Sequence, residues 1–254
     1  MPVFPDPNTE ILRVSLVQFA PILRDVAANV TLLRDLLADA DADLAVTPEL
    51  SLTGYDLRDA AADVTASATT MLASATPTLV GAVASANAGL LYNAAVLASS
   101  DSTEIVHRKV YLPTYGMFDE GRYFARGDRV MPFDINGWRI GVLICEDFWH
   151  PALTYLLAMQ GIHVLIVMAA APGRGAIQGG EDGAFFASSD SWERIARTTA
   201  QMYGMYVAVC NRIGVEGGVT FAGESIVVAP DATVIARAGV ETEVLRVQME
   251  QRLR

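Results

Sequence analysis

Residues 138–149 read WRIGVLICEDFW. The first seven are a largely apolar, β-branched run, which predicts a strong central strand over 138–144. The run breaks off at Cys145 and passes into Glu146 and Asp147. A strand fixes its backbone while the turn after it exposes the next side chain, so a reactive group placed there is rigidly held and accessible. The same arrangement occurs twice upstream. Glu49 follows the apolar LAVTP, and Lys109 follows EIVHR and opens a long aromatic stretch.

On both sides of 138–149, short β-rich runs alternate with helical patterns, and no linker divides them. Residues 13–19 (RVSLVQF) predict a first strand, and Val26, Val30, Leu33 and Leu37 recur at the three- and four-residue spacing of an amphipathic helix. Residues 44–47 predict a short buried strand that ends at Pro48-Glu49, the alanine-rich 60–73 a helix, and 78–85, 91–98 and 104–107 three further strands. Residues 110–129 hold Pro113, Gly116, Gly121 and Gly127 among aromatics, the composition of a long structured loop. Downstream come a helix over 152–160, a strand over 163–168, and a glycine-rich loop over 172–183 that reads equally as a lid or as an excursion. A helix over 188–203, a strand over 206–210 and late strands at 224–228, 234–236 and 243–247 complete the chain. Mixed strands in hairpin-like succession, with helices between some of them, predict sheets packed face to face and covered by helices.

Composition narrows the function. Eighteen basic residues against twenty-nine acids leave a net charge of −11 over 254 residues. That balance argues against nucleic-acid binding, which needs a basic face to displace counterions, and against attraction to anionic membrane surfaces. A hydrophobic content of 52% fits a chain that buries a large core, and the length fits a single domain over 1–254. No run of roughly 18 apolar residues lacks charges, so no membrane span is expected. Residues 1–10 are polar and proline-punctuated, unlike a secretory signal. Cys145 and Cys210 are far apart, form no metal-binding pair and suit free thiols in a reducing compartment. A cytoplasmic protein with no metal and no cofactor is the expectation. Seventeen of the basic residues are arginine, and the one lysine is Lys109. Either biased composition left it there by chance, or its site needs an ammonium whose pKa can be lowered enough to exchange protons, as a guanidinium's cannot.

Cys145 acts as a nucleophile only as thiolate and so needs a base or a cationic neighbour. His107, His150 and His163 are the candidate histidine partners. A buried glutamate takes the same role when desolvation raises its pKa towards neutrality. A nearby lysine then supplies positive charge for the oxyanion formed when a carbonyl is attacked. Cysteine, glutamate and lysine together make a complete set for amide hydrolysis. The plainer alternatives are a buried structural thiol at Cys145 and a strand-end surface acid at Glu49. Cys210 reads as core, and Trp138, Trp149 and Trp192 as packing residues, with Trp149 close to Cys145.

PELSLTGYDLRD around Glu49, HRKVYLPTYGMFDEGRYF around Lys109 and GVLICEDFW around Cys145 resemble the three signature blocks of the nitrilase superfamily of carbon–nitrogen hydrolases. The three residues stand 60 (109 − 49) and 36 (145 − 109) positions apart. VQFAP in the first strand, the helix with Arg197 before YGMYVAVCNR, and FAGESIVVAPDATVIARA extend the resemblance over nearly the whole chain. It implies a four-layer α-β-β-α sandwich, paired into homodimers or higher homo-oligomers through its helical layers. It also implies Cys145 as nucleophile, Glu49 as general base and Lys109 as stabiliser of the tetrahedral intermediate. The superfamily's second glutamate matches Glu120, for which pairing with Arg122 or Arg126 is the alternative. The backbone N–H of Glu146 would complete the oxyanion site.

LPTYGMFDEGRYF and CEDFW are closer to one branch, the glutaminase domain of glutamine-dependent NAD synthetase. That likeness implies that Tyr115 and Glu146 help to bind glutamine, and that a synthetase-type partner accepts the ammonia. Where the branch carries a serine-containing segment, this sequence has Ala169-Ala170-Ala171-Pro172-Gly173, with no hydroxyl until Ser188. An alanine-lined wall suits a smaller or less polar amide, although Arg174 could still meet a carboxylate. The expectation is a thiol amidohydrolase acting on a small linear amide. A glutaminase subunit feeding a partner and a non-catalytic binding protein on the same fold are the alternatives.

Overall fold

The computed structural model describes residues 9–65, 76–85, 89–100, 102–175, 177–180 and 183–252. Among the described residues, the first half of the chain lays down five strands, β1 (Thr9–Gln18), β2 (Leu44–Val46), β3 (Thr78–Ser85), β4 (Leu91–Ala98) and β5 (Thr103–Arg108). The second half supplies β6 (Phe133–Ile135), β7 (Trp138–Ile144), β8 (Val164–Ala169), β9 (Ile177–Gly180), β10 (Gly183–Phe186) and β11 (Tyr206–Asn211). It ends with β12 (Ile213–Glu216), β13 (Val219–Ala222), β14 (Ile226–Val228), β15 (Val234–Arg237) and β16 (Glu243–Arg252). Two six-stranded mixed sheets result, ordered β16-β1-β2-β3-β4-β5 and β15-β14-β11-β8-β7-β6. Within them β1, β2 and β3 run parallel, as do β7, β8 and β11, while the outer pairs are antiparallel.

The sheets face one another across an apolar layer. Leu12, Leu16 and Val46 of the first meet Trp138, Ile140, Ile166 and Cys210 of the second. The outer face of the first sheet is covered by helix α1 (Val26–Leu37), whose Val30 and Leu33 pack on Val17, Val80 and Val96. The outer face of the second is covered by α3 (Pro151–Ala158) and α4 (Ala187–Tyr203), through Leu153, Leu157, Ala196 and Ala200. The order helix, sheet, sheet, helix is the four-layer α-β-β-α sandwich that the sequence led us to expect. Burial of apolar surface on three internal faces, at about 25 cal/mol per Å², is the main force holding the layers together.

Several local readings change. Residues 110–129 contain one helical turn, α2 (Glu120–Tyr123), which the glycines and aromatics around it had hidden. The glycine-rich 172–183 is not an open excursion, because β9 and β10 pair there as an antiparallel hairpin. The strand read at 224–228 begins only at Ile226, since Glu224 adopts φ 54°, outside the extended region. Strands β6, β12 and β13 were not anticipated; each is only three or four residues long. Of the helix read over 60–73, residues 66–73 lie outside the described residues.

Candidate active site

Three strand ends converge. After β2 the chain turns through Thr47 and Pro48 so that Glu49 is fully buried. This turn lies directly on β3 at Gly81. A Cβ built there would stand 2.1 Å from the Pro48 carbonyl oxygen and 2.5 Å from the Leu50 nitrogen, so only glycine fits. The Thr47 and Ser51 hydroxyls each meet the Gly81 N–H at 3.2 Å and pin the turn to the strand. After β5, Lys109 is also fully buried, with its backbone N–H on Asn93 of β4 and its carbonyl accepting from Gly127. After β7, Cys145 takes φ 47° and opens a tight turn to Trp149. A non-glycine residue held at positive φ costs about 1–2 kcal/mol, and such strain is tolerated where the surroundings over-determine it.

Lys109 Nζ donates to Glu49 Oε1 and to Glu120 Oε1, both at 2.6 Å. Asn93 Nδ2 also donates to Glu49 Oε1, at 2.7 Å, and the Ala170 N–H donates to Glu49 Oε2 at 3.0 Å. Glu120 is brought into this cluster by α2, and the Tyr55 hydroxyl donates to it as well. Its partners are thus Lys109 and Tyr55 rather than Arg122 or Arg126. Burial, opposed by the Lys109 charge and reinforced by Glu49, pushes the Glu120 carboxyl up to about 7. Burial alone would lower the Lys109 ammonium, but the charges of Glu120, Glu49 and Cys145 outweigh it and hold the group well above the ordinary lysine range. Two carboxyls, one ammonium and one additional proton leave such a buried cluster neutral, the least costly state away from water.

Burial is also the main reason that the Cys145 thiol lies well above its ordinary value. Glu49 adds to this, while Lys109 and the Ala170 N–H pull against it. The resting sulfur is therefore a thiol, and its activation needs a base at hand rather than a pre-formed ion pair. Each histidine is engaged elsewhere. His107 Nε2 is 2.8 Å from Asp147 Oδ2, His150 stacks on Tyr111 at 3.4 Å, and His163 Nδ1 accepts the Arg139 N–H. The charges that act on Cys145 are those of Glu49, Lys109 and Glu120, none of them a histidine.

Cys145 lies in a cavity of about 290 Å³ together with Glu146, Tyr115 and Arg174, while Glu49, Lys109 and Glu120 form a buried cluster that does not line it and whose charges act on Cys145. The Tyr115 hydroxyl, pushed up to about 12 by burial and by Glu146, donates to Glu146 Oε2 at 2.8 Å. The Arg174 guanidinium sits over the Tyr115 ring at 5.6 Å. Of the three consecutive alanines only Ala170 lines the cavity, whose wall is otherwise largely aromatic, with Tyr55, Tyr115, Phe118, Trp149 and Trp192. Ser188 and Ser191 reach the same cavity from α4, a contribution invisible in the linear order of the chain. The Ser188 hydroxyl is already engaged with the Pro172 carbonyl and the Arg174 N–H. Trp149 and Trp192, read as packing, line the cavity edge to face with centroids 5.5 Å apart, whereas Trp138 is indeed core.

Tyr55, Asn93 and Asp147 escaped the sequence reading. Tyr55 and Asp147 sat inside the quoted blocks as a tyrosine six residues after Glu49 and an acid two after Cys145; Asn93 had no local signal. A buried Arg212–Glu216 ion pair at 2.9 Å stands behind Tyr55, with Glu216 Oε1 accepting the Tyr55 N–H at 2.7 Å.

A family profile for carbon–nitrogen hydrolases matches residues 13–254. Glutamine-dependent NAD(+) synthetase of Thermotoga maritima is 29% identical over 94% of this chain, which spans 42% of that protein's length. The solved glutamine-dependent NAD+ synthetase of Acinetobacter baumannii superposes with a TM-score of 0.85 at 24% identity, covering 94% of this chain and 45% of that one. The amidase of Nesterenkonia sp. AN1, solved as a cysteine-to-alanine mutant in complex with butyramide, superposes with a TM-score of 0.80 at 24% identity over 94% of this chain and 90% of that one. Those two superpositions speak for the fold. The profile runs through all three strand ends and the residues that line the Cys145 cavity, and by it this chain, an enzyme, belongs to the carbon–nitrogen hydrolase family.

Proposed function

We propose that residues 13–254 act as one catalytic unit that hydrolyses a small linear amide through a thioester on Cys145, releasing ammonia or an amine. The observation that carries this reading is Lys109 Nζ held at 2.6 Å from both Glu49 and Glu120, in a buried cluster whose charges act on Cys145. Glu49 accepts the thiol proton as sulfur attacks the carbonyl carbon. An ammonium has three donors and two are committed to the glutamates, so the third is left for the oxyanion, together with the Glu146 backbone N–H. The proton held by Glu49 passes to the leaving nitrogen as the C–N bond breaks. Water then gives its proton to Glu49 and attacks the thioester, and the thiol leaves reprotonated with a carboxylic acid as co-product. Glu120 and Tyr55 fix the ammonium throughout. The cavity size and its largely aromatic wall support a compact amide, and the likeness in fold to a butyramide-binding amidase is in keeping with that.

A second reading is a glutaminase that passes ammonia to a separate synthetase-type partner. It is favoured by the rim, where Glu146 and Arg174 could meet an ammonium and a carboxylate, and by the relatives' names. A cytoplasmic homodimer, or a higher homo-oligomer, is the expected form. It draws support from Tyr155, Leu156, Met159 and Met202, exposed apolar side chains on or beside the two outer helices.

Ammonia release from a panel of amides, with and without a synthetase partner, separates these readings. Turnover of short aliphatic amides that is lost in Cys145→Ala supports the first. Turnover of glutamine that appears only with the partner supports the second. No turnover, and no alkylation of Cys145, would return the chain to a non-catalytic binding protein.

A further inference from the structure

Asp147 stands two residues beyond Cys145, is completely buried and takes no part in the chemistry described above. Its carboxylate joins both reactive strand ends. Oδ1 accepts the N–H groups of Val110 at 3.0 Å and Tyr111 at 2.8 Å, the two residues that follow Lys109. Oδ2 accepts the N–H of Ile144, the last residue of β7, at 3.3 Å, and lies 2.8 Å from Nε2 of His107, two residues before Lys109. His107 is itself buried on β5. The side chain of the Cys145 turn therefore grips the lysine-bearing segment from both sides of Lys109.

Nothing in the neutralisation of the Glu49–Lys109–Glu120 cluster requires this grip. Those three residues hold one another, but they do not fix where the ammonium stands relative to the sulfur. Cys145 belongs to the second sheet and Lys109 to the first, so that separation depends on how the two sheets are tied at this end. A carboxylate with four donors, three of them backbone N–H groups, is a stiff tie, because charged hydrogen bonds are short and directional. It also holds the turn that keeps Cys145 at φ 47°.

We propose that Asp147, backed by His107, is a positioning residue that sets Lys109 against Cys145. The proposal rests on the hydrolase reading above, since it assigns Asp147 a task in placing the oxyanion donor. A displacement of about 1 Å at a reacting group costs about 100-fold in rate.

The test is Asp147→Asn in the full chain, which keeps the volume but turns one acceptor oxygen into a donor facing the Ile144 N–H and His107. Two rates are measured per folded molecule: iodoacetamide alkylation of Cys145 and amide turnover. Expected are a kcat lowered about 100-fold with KM within a few-fold of wild type, and alkylation slowed in parallel. A wild-type kcat and alkylation rate, with only Tm reduced, would make Asp147 purely structural and overturn the proposal. Should Asp147→Asn not fold, His107→Leu and His107→Gln decide. Glutamine keeps a donor for Asp147 and should restore what leucine loses, and equal rates in the two variants overturn the proposal. Failure of the hydrolase reading looks different: wild-type Cys145 alkylates but no amide is cleaved, and the alkylation arm still reads the effect of Asp147.

Discussion

The charged cluster of Glu49, Lys109 and Glu120, the floor of the site, is withdrawn from solvent, whereas at the rim of the Cys145 cavity Tyr115 and Trp149 are 48% and 43% exposed. The floor is built on the ends of β2 and β5 and on one helical turn, each side chain held by two or more polar partners. The rim is built from the segment before α2, the turn at Arg174 and the first turn of α4, with a few hydrogen bonds and ring contacts between them. Chemistry that needs a buried charge in one position sits where the backbone is rigid. The rim sits where a substitution disturbs little else. Mutations in the two regions should therefore differ in kind: floor variants lose kcat, rim variants change KM.

Lys109→Arg should give the largest effect. It keeps the positive charge but replaces a compact three-donor group with a planar fork that cannot serve both glutamates and an oxyanion from one point. Turnover is expected to fall about 100- to 1000-fold, the range for losing one oxyanion donor. An activity within tenfold of wild type would show that charge alone suffices.

Gly81→Ala tests the floor from behind. Its new Cβ meets backbone atoms of the Glu49 turn at 2.1 and 2.5 Å, contacts that no side-chain rotation relieves. A loss of about 1–3 kcal/mol in stability is expected, with a drop in kcat that exceeds the loss of folded protein. Thermal unfolding and turnover on the same sample separate the two.

Glu120→Gln sharpens the electrostatic reading. The Glu120 carboxyl titrates near 7 in the folded chain against an ordinary 4.5, so between those values the folded state holds a proton that the unfolded state has released. Its contribution to stability is complete below pH 4.5 and fades as pH rises through 7. The Tm of the wild type should fall relative to that of Glu120→Gln across this window. A constant difference between the two proteins would contradict the assignment.

The smallest effects belong to the rim. Tyr115→Phe removes the hydrogen bond to Glu146, and Arg174→Ala removes the cation over the Tyr115 ring; each should raise KM a few-fold at unchanged kcat. Hydrogen bonds and cation–π contacts at exposed sites are worth about 0.5–1.5 kcal/mol. Were Arg174→Ala to abolish glutamine turnover while sparing short amides, the glutaminase reading would gain.

The reactive trio was legible because each member follows an apolar strand run, and such a run shows in local sequence. Lys109 stood out further as the one lysine in the chain. Glu120 was found only through the block around it, since no periodicity marks a four-residue helix. Asn93 gave no signal of any kind. It lies mid-strand in β4, and its importance comes from β2 and β5 presenting Glu49 and Lys109 to the same side of that sheet. The short strands β6, β12 and β13 went unread because three or four residues carry too little alternation to exceed the background of an apolar chain.

What the sequence determined by itself was the class of fold, the position of each reactive side chain along the chain, and the layering, because periodic burial is written in the order of apolar residues. What only the tertiary structure decided was which charges meet. The 2.6 Å contacts of Lys109 with Glu49 and Glu120 span 60 and 11 residues, and the link from Asp147 to Val110 spans 37. Such pairings depend on how the sheets are stacked and twisted, and local sequence holds no record of that. The same holds for Trp149 and Trp192, which are ordinary packing residues in the linear chain and part of the wall of the Cys145 cavity once α4 packs beside the Cys145 turn.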